Sequence, residues 1–184
     1  MEFEIRAVRP EEWPAVKELR LTALQDPAAP LAFLETYEQA LARPDVFWQM
    51  RAAGASHGKA ARQFVAVGGD GAWLGTVVVL VEEAGAEDIF GHVVEVRQAQ
   101  LVGVFVRPVA RGSGITEALF SAAVEWALGI DGVTRVRLHV HEDNGRAARF
   151  YQRFGFVRTG GAVRNPGDPS KVDHEMVFRP ATTG

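Results

Sequence analysis

Residues Leu101–Thr116 read LVGVFVRPVARGSGIT, and their punctuation sets the expected fold. Leu101, Val102, Val104, Phe105 and Val106 make an apolar run rich in β-branched residues, too short for a typical helix and suited to a covered strand. Pro108 has no N–H for a ladder, so the strand should end near Arg107. Ile115, Ala118, Leu119, Ala122 and Trp126 then recur at helical spacing. Between strand and helix lies the glycine-rich turn Arg111-Gly112-Ser113-Gly114.

That junction has the chemistry of an anion cradle. The first N–H groups of a helix lack intrahelical partners, and glycines let a ligand approach the backbone. The helix dipole favours a bound anion by about 0.3–1 kcal/mol when exposed. Arg111 adds a charge and a forked donor, so phosphate or pyrophosphate is the expected ligand class. The same residues also fit an ordinary strand-to-helix turn. Three other glycine motifs are excluded. A dinucleotide fingerprint would need glycine where Glu117 stands, and no Gly-Lys-Ser/Thr triplet for a P-loop occurs. A serine elbow would need glycine at the positions of Arg111 and Ile115. Ser113 is therefore expected to contribute its N–H more than its hydroxyl.

The 184 residues suit one domain, residues 1–184, with a sizeable core. A hydrophobic fraction of 47% and a charged fraction of 23% match a soluble globular chain. A net charge of −3 gives nucleic-acid binding no support, and no apolar run approaches a membrane span. The charged start MEFEIRAVRP does not read as a signal peptide, so a cytoplasmic protein is expected. Cysteine is absent, which removes thiolate metal sites and a cysteine nucleophile.

Outward from the central stretch, Phe3–Val8 alternates as a strand with one buried face, Phe3, Ile5 and Ala7 against Glu4, Arg6 and Val8. Pro10-Glu11-Glu12 starts a helix that runs to about Gln25, where Asp26-Pro27 and then Pro30 break it. A second helical region, Leu31–Ala53, hinges near Arg43-Pro44, and Gly54–Arg62 reads as a mobile loop. Strands at Gln63–Val67 and Trp73–Val81 flank the hairpin turn Gly68-Gly69-Asp70-Gly71, with Gly75 as a bulge site. An acidic loop, Glu82–Phe90, precedes a strand over Val93–Val106 that is interrupted near Arg97. After the central helix come a strand at Val133–Val140, a helix at Arg146–Phe154, a strand that starts at Phe156-Val157 and a last strand at Lys171–Phe178, with a loose tail from Ala181. The order β-α-α-β-β-β-α-β-α-β-β predicts an α/β (mixed α+β) chain with helices on the faces of a mixed sheet.

Two segments then resemble the GNAT N-acetyltransferase superfamily. Val104–Phe120 is similar to its acyl-CoA-binding pattern Arg/Gln-x-x-Gly-x-Gly/Ala, and Leu138–Phe156 to its Asn-x-x-Ala-x-x-x-Tyr-x-x-x-Gly-Phe signature. The resemblance implies a mostly antiparallel twisted sheet of about seven strands with helices on both faces. It implies that Arg111, Gly112, Ser113, Gly114, Ile115 and Thr116 hold the pyrophosphate of acetyl-CoA. The backbones of Val104 and Val106 should pair with the pantetheine arm, Asn144 and Ala147 should touch the cofactor, and Tyr151 should protonate the departing thiolate.

This sequence departs from the family pattern at two positions. Thr116 replaces the final Gly/Ala of the first motif. Gln100 stands where many members carry a glutamate base. Glu95, Glu142, His174, Glu175 and an ordered water are the alternative bases, and His139 and His141 face one side of a strand without a third ligand for a metal. The implied activity is acetyl transfer to a primary amine of a small molecule or peptide in a ternary complex, with no metal, nucleic acid or membrane. A homodimer through an edge strand is one expected assembly. Gln100 also motivates an alternative, an acyl-CoA-binding sensor without turnover, and the turn alone would admit another phosphate ligand.

Overall fold

The computed structural model describes residues 1–181, so of the expected tail only Ala181 lies within the described residues. Among the described residues, seven strands form one sheet in the order β1-β2-β3-β4-β5-β7-β6. They are β1 (Phe3–Ala7), β2 (Ala61–Gly68), β3 (Trp73–Glu82), β4 (Gln98–Val106), β5 (Val136–His141), β6 (Phe156–Arg164) and β7 (Val172–Phe178). All neighbours are antiparallel except β4 and β5, which run parallel. Helices α1 (Trp13–Leu24), α2 (Ala29–Ala32), α3 (Tyr37–Leu41) and α4 (Asp45–His57) lie between β1 and β2, α5 (Ile115–Leu128) follows β4, and α6 (Gly145–Phe154) follows β5. Among the described residues no helix is long and apolar enough to cross a membrane.

The two faces of the sheet bury different cores. On one, Leu119, Phe120, Ala123 and Ala127 of α5 pack against Ala66, Val77, Val79, Leu101, Val136 and Leu138. On the other, Val16 of α1 and Trp48, Ala52 and Ala55 of α4 enclose Val8 and Val65. Val8 is therefore buried, on the side of β1 expected to be polar, because α1 and α4 cover it. Helix α4 runs four residues beyond Ala53, through a segment expected to be a loop. Burial of Ala52, Ala55 and Ser56 offsets the roughly 1 kcal/mol that a helical glycine, here Gly54, costs relative to alanine. Pro30 does not prolong the break after α1; it sits in the first turn of α2, where a missing N–H is harmless.

The chain between β3 and β4 also differs from expectation. Val93 makes one isolated bridge to Glu87, and β4 begins only at Gln98. Asp88 is the cause. Its Oδ1 accepts the N–H groups of Phe90 and His92, winding a turn that leaves Val93 and Val96 exposed. The bulge expected at Gly75 falls beside it, at Leu74, which the pairing of Ala66 with Gly75 and Val67 with Trp73 leaves over.

Candidate active site

A second bulge makes the opening on which the site depends. Thr76 pairs with Phe105 and Val78 with Val102, so Gly103 and Val104 together oppose Val77. Gly103 takes φ +63°, which an L side chain adopts only at a cost. One extra residue inverts every orientation beyond it. Before the bulge Ala99 donates its N–H to Arg135 on the β5 side; after it Arg107 donates to Leu74 on the β3 side. The backbones of Val104 and Val106 are thereby turned towards β5. That strand has already left: β4 and β5 pair only at Ala99 with Val136 and Gln100 with Arg137. Arg111 Nε takes up one of the exposed groups, the Val106 carbonyl, at 3.1 Å.

The glycine-rich turn sits at the wide end of this gap. Gly112 and Gly114 adopt φ +77° and +85°, and a Cβ at either would meet nothing within 4 Å. Among the described residues, none of the N–H groups from Gly112 to Glu117 has a protein acceptor. Ser113 Oγ donates to the Ala110 carbonyl, so its hydroxyl closes the turn. The Ile115 side chain is buried against α5's core while its N–H stays at the helix start. Arg111 does not reach freely into the cleft, because its Nη2 is paired with Asp26 at 2.7 Å. Positive charge comes also from Arg146 and Arg153, which line the cleft and form no salt bridge among the described residues. Sequence reasoning missed both. Their seven-residue spacing on one helix was the available signal.

The cleft has a volume of ≈ 440 Å³ and is lined by Val104, Val106, Arg111, Gly112, Gly114, Thr116, Asn144, Ala147 and Tyr151 among others. Eight of the ten expected binding positions, with Tyr151, thus meet in one cavity; Ser113 and Ile115 shape its wall from behind. Asn144 caps α6, its Oδ1 accepting the Ala147 N–H at 3.3 Å. Tyr151 stacks on buried Phe120 with ring centroids 5.5 Å apart. Burial pushes its phenol up to about 12, so it is a proton donor throughout the neutral range.

From the cleft, a slot of ≈ 60 Å³ passes between the splayed strands past Tyr151, Asn144 and His139. It shares Leu101, Val102, Gly103 and His139 with an inner pocket of ≈ 110 Å³ that adds Phe33, Gln100, His141, Asn165 and Asp173. Gln100 is 1% exposed, and neither its Oε1 nor its Nε2 has a partner among the described residues. His139 Nδ1 is likewise buried without one. Phe90 packs on the His139 ring at 4.8 Å. Burial, helped by the charge of Arg137, lowers His139 to about 4 and keeps the imidazole neutral at pH 7. None of Glu95, Glu142, His174 and Glu175 lines the inner pocket. Glu142 accepts the Val172 N–H, and His174 alternates with Asp173 and Glu175 and so faces the other side of β7.

Behind His139 lies an ion network. Arg137 bonds Glu82, Glu175 and Asp88, each at 2.9 Å, and Arg135 bonds Glu175 at 2.8 Å and Gln98 at 2.7 Å. It floors an outer cavity of ≈ 400 Å³ that also reaches His139. Burial would raise Glu175, but hydrogen bonds from Arg135, Thr159 and Arg137 override it and hold the carboxyl at about 2. A group so depressed adds stability that is complete above its ordinary pKa and is lost as pH falls towards 2. The stability gap between wild type and Glu175→Gln, measured by urea unfolding, should thus be constant above pH 5 and shrink between pH 4.5 and 2.

The family model described as Acetyltransferase (GNAT) family matches residues 13–156. The comparison with curated proteins yields no match. Solved structures share the fold over nearly the whole chain. A spermidine N-acetyltransferase SpeG chimera from Vibrio cholerae and hSSAT is 18% identical with a TM-score of 0.67, covering 97% of this chain and 95% of that one. Arabidopsis thaliana NAA60 in complex with acetyl-CoA is 18% identical with a TM-score of 0.69, covering 96% and 98%. The PaiA N-acetyltransferase of Thermoplasma acidophilum in complex with coenzyme A is 18% identical with a TM-score of 0.69, covering 95% and 98%.

Proposed function

This chain belongs to the acetyltransferase (GNAT) family, and from that premise we propose that it transfers the acetyl group of acetyl-CoA to a primary amine by direct attack in a ternary complex. The observation that carries this is the slot. It joins an amide-lined cleft on one side of the β4–β5 opening to a polar pocket on the other, so donor and acceptor can meet within it.

The free N–H groups of residues 112–117 bind the diphosphate, with Arg111, Arg146 and Arg153 around it. Val104 and Val106 pair with the pantetheine arm as an added strand, which sets the thioester at the slot. Asn144 and Ala147 line the same path. The amine nitrogen attacks the thioester carbonyl, and the proton it sheds as it becomes positive leaves through neutral His139, which at about 4 holds it only in passing and hands it on to solvent. The carbon–sulfur bond then breaks, and Tyr151 donates to the thiolate. A phenol near 12 does not surrender its proton outright to a thiolate near 8.5; its hydrogen bond stabilises the sulfur charge as it forms. The chain has no cysteine, so a cysteinyl acyl intermediate is excluded.

The uncharged Gln100 favours a second reading, a sensor that binds acyl-CoA without turnover; amine-dependent release of free thiol would eliminate it. Assembly as a homodimer would use the open edge of β6, most of whose residues are exposed. Calorimetric titration tests the donor half. Acetyl-CoA should bind wild type, and Gly114→Val should weaken binding more than about tenfold, since valine at φ +85° is strained by about 1–2 kcal/mol and directs its Cβ into the cleft. No heat from wild type would overturn the proposal.

A further inference from the structure

We propose that the inner pocket selects an acceptor amine that arrives uncharged, the α-amino group of a peptide in preference to a lysine-type or polyamine nitrogen. The inference rests on the acetyl-transfer reading and adds the acceptor class to it.

Its basis is the set of orphaned atoms. Gln100 Oε1, Gln100 Nε2 and His139 Nδ1 are buried around one small space with no partner among the described residues. Buried polar atoms are rarely left so, and a ligand that bonds them gains what the fold forgoes. Gln100 Oε1 is an acceptor, and the neutral His139 offers a second at Nδ1 in its Nε2–H tautomer; both are uncharged. They match the N–H groups of a neutral primary amine. An ammonium taken out of water needs a counter-charge as well as acceptors.

The surrounding carboxylates are committed elsewhere. Asp88 is paired with Arg137, and Glu175 with Arg135 and Arg137. Glu95 lies at the rim of the outer cavity, exposed. Among the described residues, Asp173 is the one carboxylate lining the inner pocket. Both its oxygens accept from Asn165, and it lies across the strand pair from His141 rather than His139. Burial is the main reason the His139 imidazole stays uncharged; Arg137 and Arg135 add to that effect, and Asp88 and Glu175 act against it. Tyr151, across the slot, is an uncharged phenol.

The acid–base arithmetic makes the preference measurable. Near pH 7 a peptide α-amino group is neutral in about one molecule in seven, a lysine-type amine in about one in 2,500. The ratio of neutral fractions is about 350 at pH 7 and about 25 at pH 9. Intrinsic nucleophilicity shifts the absolute preference but not its change with pH.

The experiment measures kcat/KM of the full chain with acetyl-CoA for alanine tetrapeptide amide, Nα-acetyl-lysine amide and 1,4-diaminobutane at pH 7 and pH 9. The peptide should be preferred at pH 7, and that preference should fall by about tenfold by pH 9. Gln100→Glu, which places a carboxylate among the orphaned atoms, should move the pH 7 ratio towards unity. Turnover with the diamine or the lysine amide preferred at pH 7 would overturn the inference while leaving acetyl transfer standing, and would assign the amine to Asp173. A pH-independent ratio, or a folded Gln100→Glu with an unchanged ratio, would also overturn it. Acetyl-CoA binding is followed separately by calorimetry; its absence would instead bring down the transfer reading beneath.

Discussion

Tyr151→Phe should lower kcat by about 10²- to 10³-fold while leaving acetyl-CoA affinity within about threefold. The substitution removes one oxygen and keeps the ring. The ring's work is structural: it stacks on Phe120 and touches Phe150 and Phe156 within the aromatic cluster at the end of α5. Phenylalanine preserves those contacts, so the melting temperature should move little. Tyr151 lines the slot, and in the proposed reaction its hydroxyl meets the sulfur only as the carbon–sulfur bond breaks. A group that acts only in the transition state changes kcat and not binding. Steady-state kinetics together with calorimetry check this. A kcat within threefold of wild type would remove Tyr151 from the chemistry.

Arg137→Met should destabilise the fold by about 3–5 kcal/mol, or very roughly 10 °C in melting temperature for a chain this size. Arg137 satisfies three carboxylates beneath the sheet, from β3, the β3–β4 loop and β7. Burial by itself would lower its pKa; the hydrogen bonds to Glu82, Glu175 and Asp88 more than offset that and raise it. Methionine fills similar volume without charge, leaving Glu82 and Asp88 desolvated without a counter-charge while Glu175 keeps Arg135. Adding Glu82→Gln should recover part of the loss, because one stranded charge goes with it. Calorimetric melting of the single and double variants checks both statements. A loss below about 1 kcal/mol would mean that the network is hydrated and weak.

The polar side of the sheet was visible in the sequence but easy to pass over. Val136, Leu138 and Val140 alternate with Arg137, His139 and His141, and Asp173 and Glu175 flank His174. Alternation of that kind ordinarily marks a strand with one solvated face. Here α2, its flanking residues and the β3–β4 loop cover the face, and the polar groups become the lining of two cavities. Gln100 shows the same limit. Its identity raised the question of the missing base, but its burial without partners needed neighbours from β5, α2 and the β6–β7 turn.

By itself the sequence determined what is local. Pro108, the two glycines of the turn and the apolar repeat after Ile115 specify strand, turn and helix through φ/ψ preference and periodicity, which act within a few residues. The same locality made the two family segments legible. Only the tertiary structure decided the rest. A single bulged residue at Gly103 turned Val104 and Val106 towards the gap, and the divergence of β5 left that gap open. Asp26 drew Arg111 partly away from the cleft, and burial under neighbouring elements left His139 neutral. These outcomes depend on contacts between residues far apart in the chain, and no local preference encodes the distance at which two strands separate.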